Sequence, residues 1–355
     1  MTKQLTALAG DVFAGLFTAG VKQAGFKVLG TLEHTDYGAK TARLNHPEVE
    51  QHLKVTDWGA DGPASRYTGK VDFMFTNPPC ALWSQARGKP KAAWQSPDPR
   101  LSWAPDLIEA GLVIQPKAWC WESVTNAWRH GHEFVIEQAQ KWANAGYSAT
   151  VLLQNNMYLG VPQIRPRMFL IAHKHPLVWP ELTEPVTVGQ ALKGLKPKES
   201  EKQYLDDDLK MLWEAAGNGR DLFHAFHGLS GEDQQAFRER TGRGAPSFLV
   251  KKLRTDRPSK VILGGLITLH PTEPRYLTYA EYLRLCGAPV DWVPSSSSLS
   301  TTTAELSRAV MPPVGRWLAT AVAEGLKQRP LKAPQYRLVD LSKGPDEHAR
   351  EEELW

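Results

Sequence analysis

Three short strings hold the side chains best suited to covalent chemistry. Thr76-Asn77-Pro78-Pro79-Cys80 closes an apolar run, and its paired prolines fix the backbone where that run ends, so that Cys80 is held out rather than packed. A thiol so placed is a nucleophile once its pKa falls or a base takes its proton, although a lone cysteine is more often a small core residue. Trp119-Cys120-Trp121-Glu122-Ser123-Val124 brings a second apolar run to a carboxylate, which can serve as an acid or base, a helix cap or an ion-pair partner. Gly160-Val161-Pro162-Gln163-Ile164-Arg165-Pro166-Arg167 sets two guanidiniums two residues apart, on one side of an extended chain, with plain surface decoration as the alternative. Each string alone is weak. Their joint occurrence, each beside a strand, is much harder to reach by chance.

The elements that must position them follow from the apolar pattern. Residues 10–17 are expected as a buried strand running into a glycine turn, with helix over 18–24. Further strands are expected over 27–33, 71–76, 117–122, 149–154 and 167–172, with a helix over 133–145. Strands alternating with helices predict a doubly wound α/β fold with a mostly parallel sheet, whose ligands gather at the strand carboxyl ends. After about residue 176, proline, lysine and acidic clusters replace apolar strands, the texture of a second, smaller domain with helices near 206–216 and 233–240. Between positions 236 and 260, eight basic residues stand against two acids, which suits either a phosphate-facing surface or a solvated charged face. Trp213, Phe223, Phe226 and Phe248 are more readily the core of this domain than wedges into DNA. Residues 295–303, all Ser or Thr except Leu299, are expected to form a flexible loop, and 304–326 a helix kinked by Pro312 and Pro313. The polar tail from 328 is expected to be loosely held.

Composition narrows the classes. The 355 residues, 42% hydrophobic and 23% charged, exclude a disordered or collagen-like chain. A formal charge of +4 is small, so a polyanion would have to be held by a local patch. Cys80, Cys120 and Cys286 lie far apart, which suits neither a disulfide framework nor a metal knuckle; no metal and a reducing, cytoplasmic setting are expected. Asp11 interrupts the apolar N-terminus, and no run reaches the roughly 20 apolar residues of a membrane helix, so a soluble, non-exported chain is expected.

Taken in order over about residues 10–326, these strings resemble the cytosine-C5 DNA methyltransferases. Thr76 to Cys80 is also similar to the Asn-Pro-Pro-aromatic motif of amino-methyltransferases, with cysteine in place of the aromatic. Asp11-Val12-Phe13-Ala14-Gly15 looks like the family's opening cofactor motif, Glu33 its ribose-binding acid, Asn45-His46-Pro47 a following landmark and Asp57 its adenine-side acid. Pro78-Pro79-Cys80 with Ser84 resembles the nucleophile loop, Glu122-Ser123-Val124 the family's Glu-Asn-Val, and Gly160-Val161-Pro162-Gln163 with Arg165 and Arg167 its two-arginine motif. His270-Pro271, Arg275-Tyr276-Leu277-Thr278 and Glu281-Tyr282-Leu283-Arg284-Leu285 resemble the segment supporting the recognition domain, and Val310-Met311-Pro312-Pro313 the last motif.

The resemblance implies a Rossmann-like methyltransferase domain over 1–175, a target-recognition domain over 176–265, a returning segment over 266–327 and a tail over 328–355. It implies S-adenosylmethionine held by Phe13, Ala14, Gly15, Leu16, Glu33, His34, Asp57, Trp58, Pro79 and Met311. Double-stranded DNA would be contacted by Ser84, Gln163, Lys251, Lys252 and Arg254, and the chain would act as a monomer in a bacterial cell or nucleoid, a phage-encoded origin included. Cytosine C5 is a poor nucleophile, so Cys80 would first add at C6. Glu122 would bridge N3 and the exocyclic amine, and Arg167 backed by Arg165 would face O2. Groups cannot surround a base inside a duplex, so the cytosine must be flipped out.

Several positions depart from the family pattern. Phe13-Ala14-Gly15-Leu16 runs straight into Phe17-Thr18-Ala19-Gly20, as though two glycines of the cofactor loop were deleted, which would weaken S-adenosylmethionine binding, reshape its site or shift the burden to Gly20. Ala309 stands where asparagine is usual, and Ala81 and Ser123 replace glutamine and asparagine. Three readings stay open: a methyltransferase, with a transfer-RNA enzyme as a sub-case; a C5-modifying enzyme using another donor; and a DNA-binding pseudoenzyme.

Overall fold

Strands that are apolar on both faces have to be covered on both sides, and the chain supplies them in alternation with helices. They are β1 (Thr6–Gly10), α1 (Leu16–Gln23), β2 (Lys27–Glu33), α2 (Ala39–Asn45), β3 (Glu50–Leu53), β4 (Phe73–Thr76), α3 (Trp103–Ile114), β5 (Ala118–Val124), α4 (Asn126–Asn144) and β6 (Ser148–Asn155). A two-residue strand β7 (Gln163–Ile164) is followed by β8 (Pro166–His173). This computed structural model describes residues 4–80, 83, 98–217, 219, 221–242, 244–247, 249–264, 268–344 and 350–353. Among them no helix is long and apolar enough to cross a membrane.

The chain forms two compact units: residues 1–159, 165–184 and 309–355, and residues 160–164 with 185–308. The first unit is the doubly wound α/β domain. Its sheet runs β3-β2-β1-β4-β5-β8-β6, extended by two strands from the tail, β12 (Tyr336–Leu341) and β13 (Arg350–Glu353). Pairing is parallel except that β8 lies antiparallel between β5 and β6, and β13 antiparallel on β12. Strand order reverses at β1 and β4, the switch point where α/β sheets open a crevice at their carboxyl ends. One layer packs Trp119, Trp121 and Trp142 with Leu107, Ile108 and Ile114 of α3.

The second unit contains α5 (Val188–Leu192), α6 (Asp207–Ala215), α7 (Leu222–His227), α8 (Gly231–Thr241), β9 (Lys251–Lys252), β10 (Ser259–Lys260), β11 (Thr268–Leu269), α9 (Tyr279–Leu285) and α10 (Leu299–Arg308). β10 pairs with β7, and β11 with β9. Its core is Leu212, Leu222, Ala225, Phe226, Phe237 and Leu269, which makes Phe226 a core residue; Phe248 lies outside the described residues. Leu269 belongs to this core, so the unit reaches to Arg308 instead of ending near 265.

Four local expectations are corrected. The first strand ends at Gly10, and 11–15 form the turn. The serine- and threonine-rich stretch enters helix α10 at Leu299, because the Thr302 and Thr303 hydroxyls bond back to carbonyls of the preceding turn while both residues are buried. No kinked helix spans 304–326: α10 ends at Arg308 and a new helix, α11 (Pro312–Gly325), begins with proline at its first position, where the missing N–H has no helical partner to lose. The tail is not loose over 336–341, since Gln335 and Ser148 start a parallel ladder with β6 and Val339 is buried.

Candidate active site

The turn that carries Cys80 begins where β4 leaves the sheet. The Thr76 hydroxyl donates to the Cys120 carbonyl at 2.9 Å, and the Asn77 N–H donates to the Gly10 carbonyl at 3.0 Å. Pro78 and Pro79 then end the pairing, having no N–H to offer. Cys80 follows, half-buried, and its carbonyl accepts the Trp83 N–H at 3.0 Å.

Strand register brings the charged partners together. In the antiparallel β5–β8 pair, Glu122 stands opposite Phe169 and Val124 opposite Arg167. Arg167 is two residues from Phe169, so it lies on the same face as Glu122, on the diagonal. Its Nε sits 2.8 Å from Glu122 Oε1, and both residues are buried. Arg165, also buried, donates through its guanidinium to the Ala309 carbonyl at 3.2 Å, while its backbone N–H donates to Asn155 Oδ1 at 3.0 Å. The main chain at Ala309 thus contributes a polar contact that its side chain lacks.

The electrostatics join the four groups. Burial, then the Glu122 carboxylate, pushes the Cys80 thiol up, and Arg167 and Arg165 pull it back. Burial also raises Glu122, against the pull of Arg167 and Arg165. A carboxyl placed in this way can accept from an amine or donate to a ring nitrogen, while the thiol stays above its ordinary pKa, the two guanidiniums offsetting only part of the rise.

The turn after β1 is tight. Asp11 and Phe13 adopt the left-handed region at φ 51° and 52°, as does Gly15 at 88°. For the two non-glycine residues this stores about 1–3 kcal/mol each, by the usual cost of such conformations. His46 braces the turn, its Nε2 donating to the Gly15 carbonyl at 2.9 Å. Gly20 serves the crossing of α1 with α11: a Cβ there would lie 2.2 Å from the Pro312 carbonyl oxygen. Ala14, Leu16 and Met311 are fully buried, and Met311 caps α11 through its carbonyl.

Glu33 ends β2, and its Oε1 accepts the Val12 N–H at 3.1 Å and the Thr31 hydroxyl. His34 is held more firmly than its position after Glu33 suggests. Its Nδ1 lies 2.7 Å from Asp11 Oδ2 and its Nε2 3.2 Å from Asp106 Oδ2. The ring stacks between Trp58 at 4.1 Å and Trp103 at 4.4 Å. Burial lowers the His34 pKa, but Asp106 and Asp11 outweigh it and hold the group above 6.5. Asp57 is exposed, with Oδ1 accepting the Gly59 N–H, and Pro79 is half-buried.

The donor types here fit an adenosine group, with an acid for ribose hydroxyls and aromatic faces for a purine. Room is the obstacle. The space among Val12, Phe13, Gly15, Glu33 and His46 is about 10 Å³, and Glu33 and His34 are both engaged by protein partners. Trp103 and Asp106 were not singled out from the sequence, because no periodicity links them to residue 34.

In the second unit a cavity of about 630 Å³ is lined by Lys251, Arg254, Arg257, Lys260, His224 and His227, with apolar walls including Ile262 and Leu263. Lys251 lines it and is half-buried. Lys252 is buried, its Nζ 3.4 Å from the centre of the Trp213 ring and donating to the Trp213 carbonyl at 3.1 Å. Arg254 is paired with Asp256 through two contacts of 2.8 and 2.5 Å. Gln163 is fully buried, its amide donating to the Leu285 carbonyl at 3.0 Å and its oxygen accepting the Ile262 N–H at 3.3 Å. Gln163 and Lys252 are therefore internal braces of this unit, a correction to their expected place on DNA. Ser84 lies outside the described residues. Arg275 is structural as well, bidentate to Glu281 at 2.8 and 2.7 Å and also bound to Glu273.

Comparison with known proteins gives the family. The C-5 cytosine-specific DNA methylase family model matches residues 9–324. The Type II methyltransferase M1.HphI of Haemophilus parahaemolyticus is 25% identical over 88% of this chain and 85% of its own. The Type II methyltransferase M.XorII of Xanthomonas oryzae pv. oryzae is 23% identical over 91% of this chain and 86% of its own. Among solved structures, the Entamoeba histolytica methyltransferase EhMeth superposes with a TM-score of 0.61 at 12% identity, covering 92% of this chain and all of the other. A family model spanning nearly the whole doubly wound domain and the basic unit leaves one assignment: this chain is a DNA methyltransferase belonging to the C-5 cytosine-specific DNA methylase family.

Proposed function

We propose that the protein transfers a methyl group from S-adenosylmethionine to C5 of a cytosine flipped out of double-stranded DNA, with Cys80 as nucleophile. The observation carrying this reading is the buried Glu122–Arg167 pair at 2.8 Å, whose charges, with that of Arg165, act on the Cys80 thiol. The Cys80 thiolate bonds to C6, and the C5=C6 electron pair moves into the ring toward C5 and N3. Glu122 donates to N3 and accepts from the exocyclic amine, offsetting charge as it builds, while Arg167 donates to O2 and holds Glu122 in place. When bound, S-adenosylmethionine supplies an electrophilic methyl group to C5, its sulfur keeping the bonding pair. The C5 proton is then lost to a base, the C5=C6 bond reforms and the Cys80–C6 bond breaks, its pair returning to sulfur.

Phe13, Glu33, Asp57, Trp58 and Met311 would hold the cofactor once His34 and Glu33 turn. Lys251, Arg257 and Lys260 would contact phosphates, the most readily available of the basic cavity's cations. A restriction-modification role fits the Type II relatives, and the chain would act in the cytoplasm as a monomer. The engaged state of His34 and Glu33 favours, as a second reading, a different donor for the same C5 chemistry. Nuclease digestion and mass analysis of duplex DNA incubated with protein and S-adenosylmethionine tests both. 5-Methylcytosine is expected. An unmodified product would refute the proposal, and a heavier C5 adduct from DNA exposed in cells would support the second reading.

A further inference from the structure

Helix α4 breaks one-third of the way along its length. Gly131 leaves helical geometry at φ −141° and ψ 27°. Glycine inside a helix is unfavourable, so its presence needs a local reason. That reason is Trp83. A Cβ at Gly131 would lie 2.3 Å from Cζ3, 2.6 Å from Cη2 and 3.1 Å from Cε3 of the Trp83 indole. The indole is 4% exposed, so the ring has little freedom to yield. φ −141° lies outside the left-handed region that demands glycine, so the indole is the contact that excludes a side chain here.

Trp83 closes the turn of the nucleophile, through its N–H to the Cys80 carbonyl. Its ring lies 5.8 Å from Phe134 of α4, and Phe134 lies 6.1 Å, edge to face, from Trp121. Trp121 immediately precedes Glu122 on β5. One aromatic chain therefore ties the turn bearing the thiol to the strand bearing the acid.

We propose that Trp83, seated in the Gly131 break of α4 and linked through Phe134 to Trp121, is a positioning residue that fixes the Cys80 turn against the strand carrying Glu122. This rests on the reading of Cys80 as nucleophile, and the test separates the two. Two quantities are measured on the full chain: the rate at which iodoacetamide alkylates Cys80, scored by peptide mass with Cys80→Ser as control, and the rate of covalent capture by a duplex carrying 5-fluorocytosine in the presence of S-adenosylmethionine. In Gly131→Ala the indole is pushed out and the turn loosens. Alkylation should rise about fivefold while capture falls about 10- to 100-fold, the loss a displacement of about an ångström brings, with duplex affinity unchanged.

A variant that had merely lost structure would lose duplex affinity too. Adding Trp83→Phe to Gly131→Ala removes the colliding part of the ring and should restore capture to within about threefold of Trp83→Phe alone, the non-additivity expected of residues in contact. Wild-type rates in Gly131→Ala, or a double variant no better than Gly131→Ala, would overturn the proposal. Should Gly131→Ala fail to fold, Phe134→Leu cuts the link without a collision, and unchanged capture and alkylation there would overturn it equally. If the wild-type protein gives no capture at all, the function reading fails. The alkylation rates and their rescue then decide on the positioning role by themselves.

Discussion

Replacing Arg167 by methionine should expose how much the buried acid depends on its partner. The substitution keeps most of the stem but removes the Nε that lies 2.8 Å from Glu122 Oε1. Glu122 is 4% exposed, so its carboxylate would be left in a site that already favours the neutral form by burial. Removing one partner of such a buried pair costs about 3–5 kcal/mol while the survivor stays charged. The acid escapes this cost by taking a proton, which fixes the sign of the pH dependence. A carboxyl whose folded pKa is raised above its unfolded value contributes no penalty below the unfolded value, and a growing one as pH climbs toward the folded value.

The variant's folded state thus binds more protons than its unfolded state, and its stability relative to wild type falls with pH by at most about 1.4 kcal/mol per pH unit. Between pH 5.5 and 8.5 that slope allows a loss of about 4 kcal/mol, comparable to the whole cost of the broken pair. Urea unfolding of wild type and Arg167→Met across this range measures the difference directly. Adding Glu122→Gln should flatten the dependence. A penalty that is the same at every pH, or that survives unchanged in the Glu122→Gln background, would refute the assignment of a buried, partner-dependent acid.

Other perturbations separate the remaining roles. His34 is held above 6.5 by Asp106 and Asp11, so its contribution to stability is fully present below that pH and is lost as pH rises through its folded value; thermal unfolding of His34→Ala should show this pH-dependent component gone. The same variant should bind S-adenosylmethionine more tightly by calorimetry if the imidazole blocks entry, and weaker binding would mean that the ring is part of the cofactor site. Gly20→Ala places a methyl group against the Pro312 carbonyl and should cost about 1–3 kcal/mol by overpacking, read as a lower unfolding midpoint. Lys251→Glu should weaken duplex binding and change the salt slope by about one phosphate contact or more, whereas Lys252→Gln should lower the stability of the second unit with little change in that slope.

Much of the first unit was legible because period-two and helical patterns alternate cleanly there. The three chemical strings fall at the ends of β4 and β5 and at the start of β8, as their flanking residues imply. The Glu122–Arg167 contact itself is a matter of register. Nothing local in either strand says that Val124 faces Arg167. Sequence was less informative where one residue's role depends on distant partners. Lys252 looks like any other member of a basic run until Trp213 lies beneath it, and Gln163 looks polar and exposed until the Leu285 carbonyl claims its amide. The seat of His34 between two indoles from distant segments left no mark in the sequence. Tail strand β12 was hidden because Arg337 and Asp340 interrupt its apolar residues on opposite faces and only Val339 is buried.

The central claim is that the Cys80 sulfur bonds to the cytosine ring. A random-sequence pool of duplexes with 5-fluorocytosine on one strand, incubated with the protein and S-adenosylmethionine and examined by mass under denaturing conditions, tests it most directly. Fluorine at C5 cannot leave as a proton does, so the covalent bond persists after transfer. A protein–DNA adduct mapping to the peptide that holds Cys80, and absent from Cys80→Ser, is the predicted result. An adduct that survives in Cys80→Ser, or its absence from a wild-type preparation that methylates ordinary duplex, would contradict the account.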